Sequence, residues 1–245
     1  VSLNSNGFAI LFSSTLDGTQ TLGLTAGAGN ITFTGAVGGG TRLGAVTINS
    51  AATVLASSTF TAASFTQAAG SVATTFTGLV DLTNQFAFTG TALNLNGVGA
   101  NVVGTTATVT NSGLFTTANG SNLTVGNAFV QNGAGLNSIG GNIASTNDGI
   151  AFATGVTLTN GVTMTTGAGA GDNIVFGTTL NGTQTLGLTA GAGNITFTGA
   201  VGGGTRLGAV TVTSGATVLA SSTFTAASFT QSAGTVATTF TGIVD

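Results

Sequence analysis

Few residues in this chain are able to do chemistry. Five aspartates (Asp17, Asp81, Asp148, Asp172, Asp245) and two arginines (Arg42, Arg206) are its only charged side chains, and Lys, Glu, His, Cys, Pro, Tyr and Trp are absent. Two facing carboxylates could hydrolyse a glycosidic bond. These aspartates lie far apart, however, and most stand beside turn residues, as in "LDG", "NDG" and "GDN". They read as turn formers. Without His, Cys, Lys or Glu the usual general bases and activated nucleophiles are missing. No catalytic residue is expected, and the chain does not read as an enzyme. The stretch "GAGAGDNIVFG" (167–177) is faintly like the glycine-aspartate nonapeptides that hold calcium, but it offers one carboxylate. A hard cation wants six or more oxygens. Neither a metal nor a cofactor is expected.

Hydroxyls are far more abundant than charges. "TFT" at Thr32–Thr34 and again at Thr196–Thr198 puts two hydroxyls on one face of a strand. Ranks of this kind could meet a carbohydrate surface or an ice lattice, although Thr is also an ordinary outward strand residue. Thr32, Thr34, Thr196 and Thr198 are the binding candidates on this ground. Arg42 and Arg206 join them, each following a triple glycine. They are expected to form a sparse row along one side, about one per unit, that could bridge to carboxylates of a neighbouring fibre or bind an acidic sugar. The plainer reading is a solvated loop charge that discourages unwanted strand pairing.

Composition sets the frame. Charged residues make up 3% of the chain, against about a quarter or more on an ordinary protein surface. That suits a protein held in an assembly, at a cell surface or in a fibre. Two arginines make no basic stripe, so nucleic acid is not an expected partner. Without cysteine there are no disulfides and no thiolate metal ligands. No run approaches the roughly 18–20 apolar residues of a membrane helix, so membrane insertion is not expected. Nothing at Val1 looks like a signal peptide, and the sequence reads as a piece of something longer.

The chain repeats itself. Residues 17–81 return as 181–245, an offset of 164. Seven of those 65 positions differ: Asp17/Asn181, Ile48/Val212, Asn49/Thr213, Ala51/Gly215, Ala68/Ser232, Ser71/Thr235 and Leu79/Ile243. The sequence thus holds about one and a half copies of a 164-residue tandem unit. Inside the unit runs a shorter rhythm of apolar couplets two residues apart, among them Leu22/Leu24, Ile31/Phe33, Leu93/Leu95, Val156/Leu158 and Ile174/Phe176. That is strand periodicity, one face in and one out. The "GAG", "GGG", "NG" and "SG" pieces between couplets are turn chemistry.

Many short strands could build a sandwich, a membrane barrel or a solenoid. Sandwich cores need larger residues than this. A barrel wants strands of about 9–11 residues with aromatic girdles. A parallel β-solenoid fits best: small residues suit a narrow interior, and like side chains stack from turn to turn. At about 20 residues per turn the unit spans roughly eight turns and rises on the order of 40 Å. Stacked Asn and Thr would add ladders of side-chain hydrogen bonds.

The run "GNITFTGAVGGGTRLGAVTVTSGATVLASS" (193–222) resembles the β-strand repeats of large secreted bacterial surface proteins, the filamentous-haemagglutinin-type adhesins and autotransporter passenger regions. The resemblance implies a right-handed parallel β-helix, export, and a role in attachment, aggregation or matrix building. The expectation for residues 1–245 is therefore one continuous all-β solenoid of roughly twelve turns with no globular domain. Its expected role is an extracellular fibre or adhesin-shaft segment at a bacterial surface, with copies of itself and surface glycans as partners. The alternative is a carbohydrate-binding or ice-binding solenoid that uses Thr-rich faces.

Overall fold

The couplets become strands. The computed structural model describes all 245 residues, which form 28 strands and no helix. Ile31 and Phe33, Leu93 and Leu95, Val156 and Leu158, and Ile174 and Phe176 all point inward and are nearly sealed from solvent. The residues between them, Thr32, Asn94, Thr157 and Val175, face outward. The β-branched and aromatic side chains that fill these strands suit a pleated, half-buried surface.

Strand pairing is parallel throughout, each strand lying over the one a turn earlier. Three ladder positions complete a turn, giving three faces. Face 1 passes through Leu22, Val46, Phe65, Phe86, Ala107, Phe129, Ile150, Ile174 and Ile195. Face 2 passes through Ile10, Ile31, Val54, Thr74, Leu93, Phe115, Asn137, Val156, Leu180 and Val201. Face 3 begins at Leu16, Val37, Phe60 and Val80 and continues through Leu123, Ile143, Met164, Leu188 and Val212. The stack is a parallel β-solenoid of about 11 turns, close to the twelve expected.

Turn length varies. Val46 lies over Leu22, 24 residues on, and Phe65 lies over Val46, only 19 on. Corners absorb the difference, and glycine lets successive turns close up there. A Cβ on Gly126 would sit 2.0 Å from the carbonyl oxygen of Gly104, and one on Gly104 would sit 2.0 Å from that of Thr83. Only hydrogen fits in such a column if strands are to keep their spacing of about 4.8 Å.

The interior is slim: 74 of the 245 residues are buried, so few atoms hold many turns together. Phenylalanine supplies much of it. Phe60, Phe65 and Phe76 meet edge to face with centroids 5.2–5.6 Å apart, and Phe65 stacks on Phe86 at 5.2 Å. Further along, Phe129, Phe152, Phe176, Phe197 and Phe224 follow one another at 5.2–6.0 Å. Such pairs add about 0.5–1.5 kcal/mol each beyond the area they bury.

A polar plug is buried beside this apolar column. Asn111, Gln131 and Asn137 are each 1% exposed. Gln131 donates from Nε2 to Asn111 Oδ1 (2.8 Å) and to the Gly133 carbonyl (2.9 Å). Its Oε1 accepts from the Ala153 N–H (3.1 Å) and from Asn137 Nδ2 (3.3 Å). Nearly every polar atom of the plug is therefore paired, as burial demands. The exception is Asn137 Oδ1, a buried acceptor with no partner.

Candidate functional site

Arg42 is an internal clamp. It sits at the corner between faces 3 and 1, where the triple glycine lets the chain swing outward. Its Nη1 donates to the carbonyls of Ala62 (3.0 Å), one turn above, and Asp81 (2.7 Å), two turns above. Nη2 pairs with the Asp81 carboxylate at 2.7 Å. Arg206 repeats the arrangement, donating to the carbonyls of Ala226 and Asp245 and pairing with the Asp245 carboxylate. Each guanidinium thus spans three layers of the rod. The reading of Arg42 and Arg206 as free, solvated charges gives way to this geometry, because the planar fork is engaged by the molecule's own backbone and carboxylate.

The two arginines do not lie on one side. Leu22 belongs to face 1, whereas its equivalent Leu186 pairs with Val162 and Val210 on face 3. Ile31 lies on face 2 and its equivalent Ile195 on face 1. The whole second copy is shifted by one face, so Arg206 stands at the corner between faces 2 and 3. The expected row along a single side is absent. A unit of roughly eight turns would have produced it; the actual advance falls a third of a turn short.

The threonine candidates are separated by the same shift. Thr32 and Thr196 are half-buried, and Thr34 and Thr198 are exposed. Along face 2 the outward neighbours of Thr32 are Leu11 and Leu55. On face 1 those of Thr196 are Val175 and Leu219. Neither threonine stands in a rank of hydroxyls. A polar rank does exist further along face 2, where Thr75, Asn94, Thr116, Ser138, Thr157 and Asn181 succeed one another on six consecutive turns. Asn94 donates to Thr75 within it at 3.1 Å. Sequence reasoning missed this rank because its members come from unlike local sequences, and only the register aligns them.

Asparagine at the corners staples turn to turn. Asn122 Oδ1 accepts the N–H of Asn142 at 2.9 Å, and Asn142 Oδ1 accepts that of Thr163 at 2.8 Å. Asp17 does the same for Gly40 (2.8 Å) and Thr41 (3.1 Å). In the second copy Asn181 accepts from Gly204 (2.9 Å) and Thr205 (3.2 Å), so the Asp/Asn difference keeps the acceptor and removes only the charge. Asp148 and Asp172 accept N–H groups of their own loops, at Gly149 (2.7 Å) and Gly169 (2.8 Å). No three acidic side chains gather where a metal ion could be held. Comparison with protein-family models, curated proteins and solved structures found no match.

Proposed function

We propose that this chain is a shaft segment of a long extracellular bacterial surface or matrix protein of the filamentous-haemagglutinin or autotransporter type, working as a fibre or adhesin stalk. The observation supporting this reading is the unbroken parallel stack, in which turn follows turn on the same three ladders and no helix or side domain interrupts it. Backbone hydrogen bonds along the axis and a thin apolar column give stiffness, as in other one-dimensional repeat folds. A nearly uncharged surface leaves lateral packing between rods unopposed by charge repulsion. Immunogold electron microscopy of native cells with antibody to this chain tests the proposal. Gold along extended surface filaments is the expected result; gold confined to the cytoplasm would overturn it.

A second reading, a carbohydrate-binding face, has one observation in its favour: the polar rank on face 2. Thr116→Val with Thr157→Val removes two hydroxyls from that rank at nearly constant shape. Under this reading, retention on a polysaccharide column is lost with that pair. It survives in Thr32→Val with Thr34→Val, which lie outside the rank. Equal retention of both variants, or no retention of the parent chain, would count against glycan binding.

A further inference from the structure

Identical sequence lies on different faces of this rod, and counting along the ladders says why. The long strands Leu43–Ala56 and Phe60–Gln67 each bend across two faces, and Val37 contributes a single bridge. With these included, Leu186 stands twenty-three ladder positions after Leu22. Three positions make a turn, so the 164-residue unit advances by seven and two-thirds turns. We infer that a tandem series of these units is a threefold screw, each unit turned by a third of a revolution from the one before; this rests on the fibre reading proposed above.

The local fold of the unit survives the turn. Phe12 stacks on Phe33 at 5.1 Å with rings 3° apart, on face 2. Their equivalents Phe176 and Phe197 stack at 5.3 Å and 2°, on face 1. The clamps of Arg42 and Arg206 likewise keep their partners while changing corners. Interchange of this kind requires that the three faces be nearly equivalent. Each face does bury apolar couplets, such as Ile174/Phe176 on face 1, Leu93/Leu95 on face 2 and Leu186/Leu188, which continue face 3 in the second copy.

The consequence is that equivalent residues face every side of the rod. At about 4.8 Å per turn each unit rises roughly 37 Å, and the same residues return to the same side only after three units, about 110 Å. A unit of whole turns would align every copy along one edge and favour flat ribbons of rods. The screw instead offers each unit's surface in three directions in turn.

The chain has no cysteine, so pairs of introduced cysteines can be labelled cleanly. Thr34, Thr159 and Thr198 are exposed. Thr34 and Thr159 follow Phe33 and Leu158, which the register places in one column of face 2. Thr34 and Thr198 are equivalent positions of the two copies. Biotin-maleimide and monovalent streptavidin on the Thr34→Cys/Thr159→Cys and Thr34→Cys/Thr198→Cys chains are imaged by electron microscopy with tilted views. The first pair is expected to place both densities on one edge, and the second to place them about a third of a revolution apart. Both densities on one edge in the second pair would overturn the screw. That outcome is independent of the cell-surface labelling, so the screw and the fibre reading fail separately.

Discussion

Arg42 shows how much a single side chain does in a fold with so little charge. Its pair with Asp81 is half-open to water, where an isolated ion pair contributes at most about 1 kcal/mol. The added hydrogen bonds to two carbonyls make it a clamp on three layers. Arg42→Met is expected to destabilise these turns by about 1 kcal/mol. The change is read as faster amide hydrogen exchange around Ala62 and Asp81, with the Arg206 region unaltered. The corner glycines give a sharper contrast. Gly126→Ala drives a methyl into the Gly104 carbonyl and is expected to destabilise by about 3 kcal/mol, since neither backbone can yield. Gly171 has open space around its Cβ position and no positive φ. Gly171→Ala is expected to be neutral or to stabilise by about 0.5 kcal/mol. Urea unfolding of the two variants side by side checks both; equal effects would contradict the corner packing.

Among the elements, the inward couplets were legible because a two-residue apolar period has one physical meaning. Leu22/Leu24, Ile31/Phe33 and Ile174/Phe176 all fell on the inner face. The polar plug was not legible. Gln131 and Asn137 look like surface residues; they meet across one corner, and the stacking of turns brings Asn111, twenty residues earlier, under Gln131. The clamp was hidden for a similar reason, since Arg42 and Asp81 are 39 residues apart and meet only when two turns close over them. Facing was lost in the arithmetic: turns of 19 to 24 residues defeat an average, and a third of a turn decides which way a copy points. The two copies also carry a natural experiment. Ala51, 3% exposed within the unbroken strand Leu43–Ala56, is replaced by Gly215, where the strand divides into Leu207–Ser214 and Thr217–Ala220. A Cβ at Gly215 would lie 3.2 Å from the flexible Cδ1 tip of Ile195, and in the first copy the equivalent Ala51 is buried. Gly215→Ala is therefore expected to rejoin the strand and stabilise by about 0.5–1 kcal/mol. Slower hydrogen exchange from Ser214 to Thr217 would show it; faster exchange would mean that the two copies differ more than their sequences suggest.

For the whole molecule, a thin interior and a continuous parallel ladder make stability a sum over neighbouring turns. Loss of one large interior side chain is then felt locally. Phe65→Ala, at a residue fully sealed among Phe60, Phe76 and Phe86, is expected to cost about 3–5 kcal/mol and to loosen the turns that touch it first. Backbone hydrogen bonds run along the rod while strands run across it. Fibre diffraction from aligned native material checks this orientation. A meridional reflection near 4.8 Å is expected, with a second near 37 Å from the unit rise and layer lines indexing on about 110 Å. A 4.8 Å reflection on the equator would put the strands along the fibre and contradict the coil.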